Sequence, residues 1–371
     1  MSEHRTIRTR FDGNAGDGRH GPAHAGRASS MAATMPTRRS LLLAGGFLST
    51  GGLLAACGSS GPQEAGGGDD GSAAGGTGVI GVSLNGNNAY SSYVAEGVYK
   101  ALDGTGYTAT GVQNNFSSAT ELSNVQNLLA QGIEGLVVLP ADATTLAKAA
   151  QLCVQQDVPV GNALWPGQGE GAGDFAGKAT LDSVEGGRMI GEWLKANAEP
   201  GPVVVVQGIV GQGFSEKIDQ GLDESLRGSG FSVVVREQGF FARDKATQIV
   251  QTALQAHPDV TAIVAYSASM SNGIAAFLEG RGTTTITHVS SDADDEMITW
   301  LQTPYLAASR YYSAAQTGVV AAQAVLAAIA GTTSSASDAI DQTMVTRENI
   351  AAVVAEHPYR YEQYAAQTAR I

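Results

Sequence analysis

Cysteine is nearly absent: Cys57 and Cys153 are the two in 371 residues. No disulfide framework can staple the chain, so its stability has to come from buried apolar surface. Histidine is sparse as well. Beyond residue 57 the histidines are His257, His288 and His357, each in a different segment, which gives no metal-ligand spacing. Aromatic residues are 6% of the chain and charged residues 15%. Of the charges, basic residues are the scarcer, 22 against 35 acids, and seven of them lie in residues 1–56 beside three acids, leaving 15 basic and 32 acidic residues, a net of about −17, in the remainder. A surface so acidic argues against nucleic acid as a partner. A long apolar run is missing too, since the best candidate, residues 41–56, is 16 residues and rich in Gly, short for a bilayer span.

What is present is apolar material, 43% of the chain, enough for two cores of ordinary domain size. The 48 glycines divide between a linker and the ends of strands and helices. Residues 1–36 are Gly- and Arg-rich without an apolar period, and Met31 or Met35 is the expected start. Thr37-Arg38-Arg39-Ser40-Leu41-Leu42 then resembles the twin-arginine export motif and leads into the apolar run. Leu54-Ala55-Ala56-Cys57 closes it and resembles a bacterial lipoprotein processing box, which implies lipidation of Cys57 as the new first residue. Residues 1–56 are therefore expected to be an extension and export signal, and residues 57–78, rich in Gly, Ser and acids, a flexible tether of roughly 25 Å reach. Cys153, in the apolar AAQLCVQQ, reads as a buried small hydrophobe.

From Val79 onward strand-like and helix-like runs alternate, which predicts an α/β fold with parallel sheets. Strands are expected at 79–84, 107–113, 135–139, 158–163, 203–207, 232–238, 262–266 and 285–290, with helices between them, and two later runs, LAASRYY and the start of TMVTRENI, are strand-like as well. Eight strands exceed one comfortable sheet, and they fall into two groups of four on either side of residues 181–201. Two similar doubly wound lobes follow, the first from residues 79–181 plus 311–340 and the second from 182–310 plus 341–371. To complete both lobes the chain has to cross between them three times, near Asp182, Arg310 and Asp341. In such sheets ligands settle beyond the carboxyl ends of the strands, where the loop Asn85-Gly-Asn-Asn-Ala-Tyr90 sits. That loop is either a polar ligand cradle or a solvated turn.

The element order, with VQNNFSSATELSNVQNLLAQGIEGLVVLPAD, VVVVQGIVGQG, LQAHPDVTAIVAYS and TMVTRENI, resembles the periplasmic sugar-binding proteins of the ribose-binding type over residues 79 to about 355. The resemblance implies two lobes joined by three hinge strands, with one ligand in the cleft. Carried onto this chain, it implies first-lobe contacts at Asn88 and Tyr90. The Asp-Arg pair of the family is replaced by Leu164-Trp165-Pro166, so that Trp165 is either a stacking platform or plain packing. In the second lobe Glu216 stands where the family has Arg, Phe241 matches its stacking aromatic with Arg243 two residues on, Ser267 replaces an Asn, and Asp292 is kept. At the hinge Tyr312 replaces a Gln, with Arg310 two residues earlier. Asp294, Asp295 and Glu296 suit the first turn of a helix.

Enzymatic readings fare poorly. Gly208-Ile-Val-Gly211-Gln-Gly213 is not a dinucleotide fingerprint, and Ser215 lacks the second Gly of a nucleophile elbow. The expectation is a monomeric, membrane-tethered, extracytoplasmic solute-binding lipoprotein, with no cofactor or metal, that hands a small neutral ligand to an ABC permease. The alternative is a sensory receptor that docks on a signalling protein. The ligand class stays open among a pentose or hexose, a polyol and a small cyclic molecule that is not a sugar.

Overall fold

The structure, a computed structural model, describes residues 77–164, 175–332 and 337–371. The twin-arginine motif, Cys57 and Trp165 lie outside the described residues. The first lobe runs β1 (Val79–Leu84), α1 (Ala89–Leu102), β2 (Thr108–Gln113), α2 (Ser118–Ala130), β3 (Gly135–Val138), α3 (Ala143–Val154), β4 (Val160–Asn162) and β5 (Gly177–Thr180). The second follows with α4 (Ser183–Asn197), β6 (Pro202–Gln207), α5 (Phe214–Leu226), β7 (Ser232–Gln238), α6 (Arg243–Ala256), β8 (Ala262–Ala265), α7 (Ala268–Arg281), β9 (Thr287–Ser291), α8 (Asp295–Trp300) and β10 (Ala308–Tyr311). The chain then returns to the first lobe for α9 (Ala314–Ile329) and β11 (Ser337–Ala339) before β12 (Thr343–Val345) and α10 (Ile350–Glu356).

Each lobe holds a six-stranded sheet, ordered β11-β5-β4-β3-β1-β2 and β12-β10-β9-β8-β6-β7. The strands pair in parallel, except that β12 runs antiparallel to β10. Helices cover both faces, and so the central strands are continuous apolar runs: Ile80, Val82, Val137, Val204 and Ile263 are fully buried. The expected parallel α/β lobes are present, with two strands beyond those expected. β5 (GKAT) and β11 (SDA) are short and poor in β-branched and aromatic residues, so edge pairing in the assembled sheet, not local propensity, makes them strands.

Close helix contacts join the layers. A Cβ at Gly97 of α1 would lie 1.9 Å from the Ala315 carbonyl oxygen of α9, and one at Gly318 would lie 2.0 Å from that of Val94. The second lobe repeats the arrangement: a Cβ at Gly187 of α4 would be 2.0 Å from the Ile218 oxygen, and one at Gly221 of α5 1.8 Å from that of Val184. In both lobes backbone rests on backbone, which a glycine surface alone permits.

The chain passes from one sheet's lobe to the other between β5 and α4, between β10 and α9, and between β11 and β12. A fourth passage follows α10. Of residues 341–371, expected in the second lobe, the stretch from Tyr359 instead returns to α1: Tyr361 N–H donates to Glu96 Oε2 at 2.7 Å, Tyr364 OH donates to Asp103 Oδ2 at 2.9 Å, and Ile371 packs against Gly111 of β2. Arg360 spans the lobes, donating to Glu96 of α1 at 3.1 Å and to Asp295 of α8 at 2.8 Å. The buried Glu96 carboxylate fixes this course, since a charge with 1% exposure demands partners and both come from the tail. Cys153 is buried in a first-lobe core cluster, and burial pushes its thiol up to about 12, away from nucleophilic use. No helix among the described residues is long and apolar enough to cross a membrane.

Candidate ligand-binding site

The carboxyl ends of the two sheets face each other across a cleft, and the loops there enclose a cavity of ≈ 70 Å³, room for about five water molecules. Helix caps place its polar walls. Asn88 caps α1, its Oδ1 accepting the Ser91 N–H at 3.0 Å. Ser267 caps α7 in the same way, through the Met270 N–H at 3.3 Å. Between them Asn85 is held by its Nδ2 donating to the Pro140 carbonyl at 3.3 Å and by the Ser91 hydroxyl donating to its Oδ1 at 3.1 Å.

At the floor, Asp292 is 7% exposed and sits just beyond β9 at φ 59, an unusual backbone for a residue with a side chain. Its Oδ1 accepts the Ala268 N–H at 2.8 Å. Burial raises its pKa well above the usual carboxylate range, with the charge of Asp294 adding to the effect and the Ala268 N–H and Arg310 opposing it. A carboxyl so placed can accept from a ligand hydroxyl when ionised and donate to one when protonated.

Aromatic rings make up most of the remaining wall. Tyr90 and Tyr312 meet edge to face at 6.0 Å near the hinge. Phe241 from the second lobe stacks on Phe116 from the first, centroids 5.6 Å apart and planes 24° apart, and packs against Phe214 at 6.3 Å. Tyr266 completes the floor, its hydroxyl anchored to Asp219 Oδ1 at 2.5 Å. Besides the ring stack, the lobes are bridged by Gln212, whose Nε2 donates to the Ala141 carbonyl at 2.7 Å.

The structure thus gathers Asn88, Tyr90, Phe241, Ser267, Asp292 and Tyr312 around one cavity. Three residues expected there lie elsewhere. Glu216 is exposed at the start of α5, where its carboxylate accepts the Gly211 and Gly213 N–H groups at 2.5 and 3.1 Å, the task of a helix-capping acid. Arg243 forms a two-pronged pair with Glu296, both contacts 2.7 Å, on the outside of the second lobe. Arg310 is fully buried behind the wall, its guanidinium over the rings of Tyr312 at 4.8 Å and Phe214 at 5.6 Å. Its Nη1 fills the space that a Cβ at Gly186 would occupy. No Lys or Arg lines the cavity among the described residues.

Phe116, Phe214 and Tyr266 were not singled out in the sequence. Phe116 had a usable signature, because β2 ends Gln113-Asn-Asn-Phe116 and β7 ends Gln238-Gly-Phe-Phe241, the same spacing in each lobe.

Comparison with known proteins agrees with this architecture. Residues 80–333 match the periplasmic binding protein domain family. The ribose import binding protein of Salmonella typhimurium is 28% identical over 207 residues, which is 56% of this chain and 69% of that protein, and its Escherichia coli K12 counterpart is 27% identical over the same length. Among solved structures, a carbohydrate transporter solute-binding protein from Agrobacterium radiobacter, in complex with D-arabinose, superposes with a TM-score of 0.69 at 20% identity over 76% of this chain and 98% of its own. An ABC transporter solute-binding protein from Bacillus halodurans with bound myo-inositol gives 0.66 at 17% identity, over 76% of this chain and 99% of its own. Two six-stranded lobes about an aromatic-walled cleft, with a family match over most of the folded chain, place this protein in the periplasmic binding protein domain family.

Proposed function

We propose that the chain is an extracytoplasmic solute-binding protein that captures a small neutral sugar or polyol between its lobes and presents the closed form to an ABC permease. The carrying observation is the cavity itself, in which aromatic faces can cover the C–H side of a ring while Asn88, Ser267 and Asp292 meet its hydroxyls. The neutral class follows from the lining: among the described residues no Lys or Arg side chain faces the cavity to pair an anion, and the guanidinium of Arg310 lies behind the rings of Tyr312 and Phe214. Arabinose and myo-inositol in the related structures, and ribose in the names of the sequence relatives, fit a neutral ligand of this size. Closure is an equilibrium that the ligand biases by binding both walls at once. Twin-arginine export through Arg38 and Arg39 and a lipid anchor on Cys57 belong to the same reading, with residues 58–78 as the tether.

The test is a thermal-shift comparison of D-ribose, D-arabinose and myo-inositol with matched sugar phosphates and sugar acids, because a ligand selective for the folded state raises the midpoint. Stabilisation by a neutral member is expected, weakened by about 2 to 5 kcal/mol in Asp292→Ala, where a buried ligand hydroxyl loses its partner. Stabilisation by the acidic set alone refutes the neutral class. Retention of Cys57→Ser in carbonate-washed membranes refutes the anchor.

A further inference from the structure

The two loops that carry Phe116 and Phe241 are built alike. Each ring sits three residues beyond the Gln that ends the second strand of its lobe. Each follows a residue that is itself left-handed, giving Asn115 and Phe116 at φ 50 and 58 and Phe240 and Phe241 at φ 57 and 56. Two consecutive left-handed residues without glycine are uncommon. Each ring also lies on a glycine of the first cleft loop: a Cβ at Gly86 would be 2.9 Å from Phe116 Cε2, and one at Gly208 would be 2.2 Å from Phe241 Cζ.

In the first lobe this conformation is held from beneath. The Phe116 N–H donates to the Asn85 carbonyl at 2.7 Å and to Asn114 Oδ1 at 2.9 Å, while Asn114, itself buried, donates to the buried Glu121 at 2.8 Å. The product of this arrangement is a ring directed across the cleft onto Phe241, not into the core of its own lobe. Both rings are half-buried, whereas Tyr266, Asp292 and Tyr312 on the floor are buried. The stacked pair therefore forms part of the rim.

We propose that Phe116 and Phe241 are two leaves of an aromatic gate, one from each lobe, and that Phe116 is a specificity-determining residue: it closes the cleft over a single ring and rejects a ring extended toward the rim. This rests on the reading of the cavity as a sugar or polyol site. The leaves have to separate for entry, and their stacking favours the closed lobes even before a ligand arrives.

The experiment uses the full chain with nitroxide labels at Gln126→Cys on α2 and Gln251→Cys on α6, both exposed, compared with the same chain carrying Phe116→Gly, which removes the ring and suits the left-handed backbone, or Phe116→Tyr, which keeps the ring. In the absence of sugar, Phe116→Gly is expected to lower the closed-to-open ratio about 2- to 12-fold, with Phe116→Tyr matching the parent. With D-ribose, D-arabinose and myo-inositol as probes, Phe116→Gly should dissociate the bound one about tenfold faster and gain binding of its methyl glycoside or of a disaccharide containing it. Unchanged distances together with unchanged selectivity in Phe116→Gly overturn the gate. If no probe binds the parent but the distance shift appears, the sugar reading and the size limit built on it fail while the two-leaf closure stands. If a probe binds and neither selectivity nor dissociation changes, the specificity role fails whatever the distances do.

Discussion

Glu121 shows how one buried carboxyl can organise a binding face. Its Oε2 accepts the Ala141 N–H at 2.5 Å and the Asn114 amide at 2.8 Å, tying together two cleft loops. Burial pushes its pKa up to about 8, with the Ala141 N–H opposing the rise and the charge of Asp142 adding to it. Since the folded-state value lies above the unfolded one of about 4.3, the folded protein holds this proton more tightly, and the associated stability is full below about pH 4 and lost as pH rises through 8. Between those limits the slope is about −1.4 kcal/mol per pH unit. Glu121→Gln keeps an acceptor for both loops and removes the proton, so urea denaturation at pH 5, 6.5 and 8 should show the variant free of this decline. Parallel pH curves for parent and variant would contradict the assignment. Buried His288, lowered to about 4 mainly by burial, acts oppositely, its contribution fading as pH falls below about 6.5, and subtracting variant from parent cancels it. Which side chains stand at strand ends was legible in the sequence, because that is a matter of order along the chain, and Tyr90, Phe241 and Asp292 do face one cavity. Where a charge points was not legible. Glu216 is claimed by local amides and Arg243 by a carboxylate 53 residues away, and neither pairing leaves a trace in composition or spacing.

Among the elements, the glycine-mediated helix pairs carry the clearest consequence. Gly221→Ala places a methyl 1.8 Å from the Val184 carbonyl oxygen, so α4 and α5 have to move apart. Overpacking of this kind costs about 1 to 3 kcal/mol. The second lobe should lose that much in chemical denaturation, whereas Gly280→Ala, whose Cβ meets nothing within 4 Å, should be neutral or stabilising, as alanine favours a helix over glycine by about 1 kcal/mol. Equal effects at the two sites would contradict the close-packing account. These contacts also explain which elements could be read in advance. The long strands rich in Val and Ile and the amphipathic helices declare themselves by period, while β5 and β11, three or four residues of Gly, Lys, Ser, Thr, Ala and Asp, become strands because a sheet edge is there to receive them.

At the scale of the molecule, two lobes with their own sheets were legible from the count and grouping of apolar runs, and the return of the tail was not. Nothing in residues 359–371 distinguishes first-lobe from second-lobe packing until Glu96 is seen to be buried and in need of partners. This return places the start of β1 and the last residue, Ile371, on the same lobe, with Ile371 against the strand beside β1. The second lobe is thereby a loop in the load path. If residues 79 and 371 are pulled apart, tension first meets the tail, held on α1 by a 3₁₀ turn, one four-residue helix and a few polar contacts. It should peel away at low force, releasing 13 residues or about 45 Å of chain, before either sheet bears load. Single-molecule extension traces would show that short step ahead of the lobe-sized ones, and its absence would mean that the tail is as firmly mounted as the sheets. A tail that yields first makes the seam between the lobes mechanically soft at the end remote from β1's own terminus, so that a tug on the carboxyl end loosens the Arg360 bridge before it disturbs the aromatic rim.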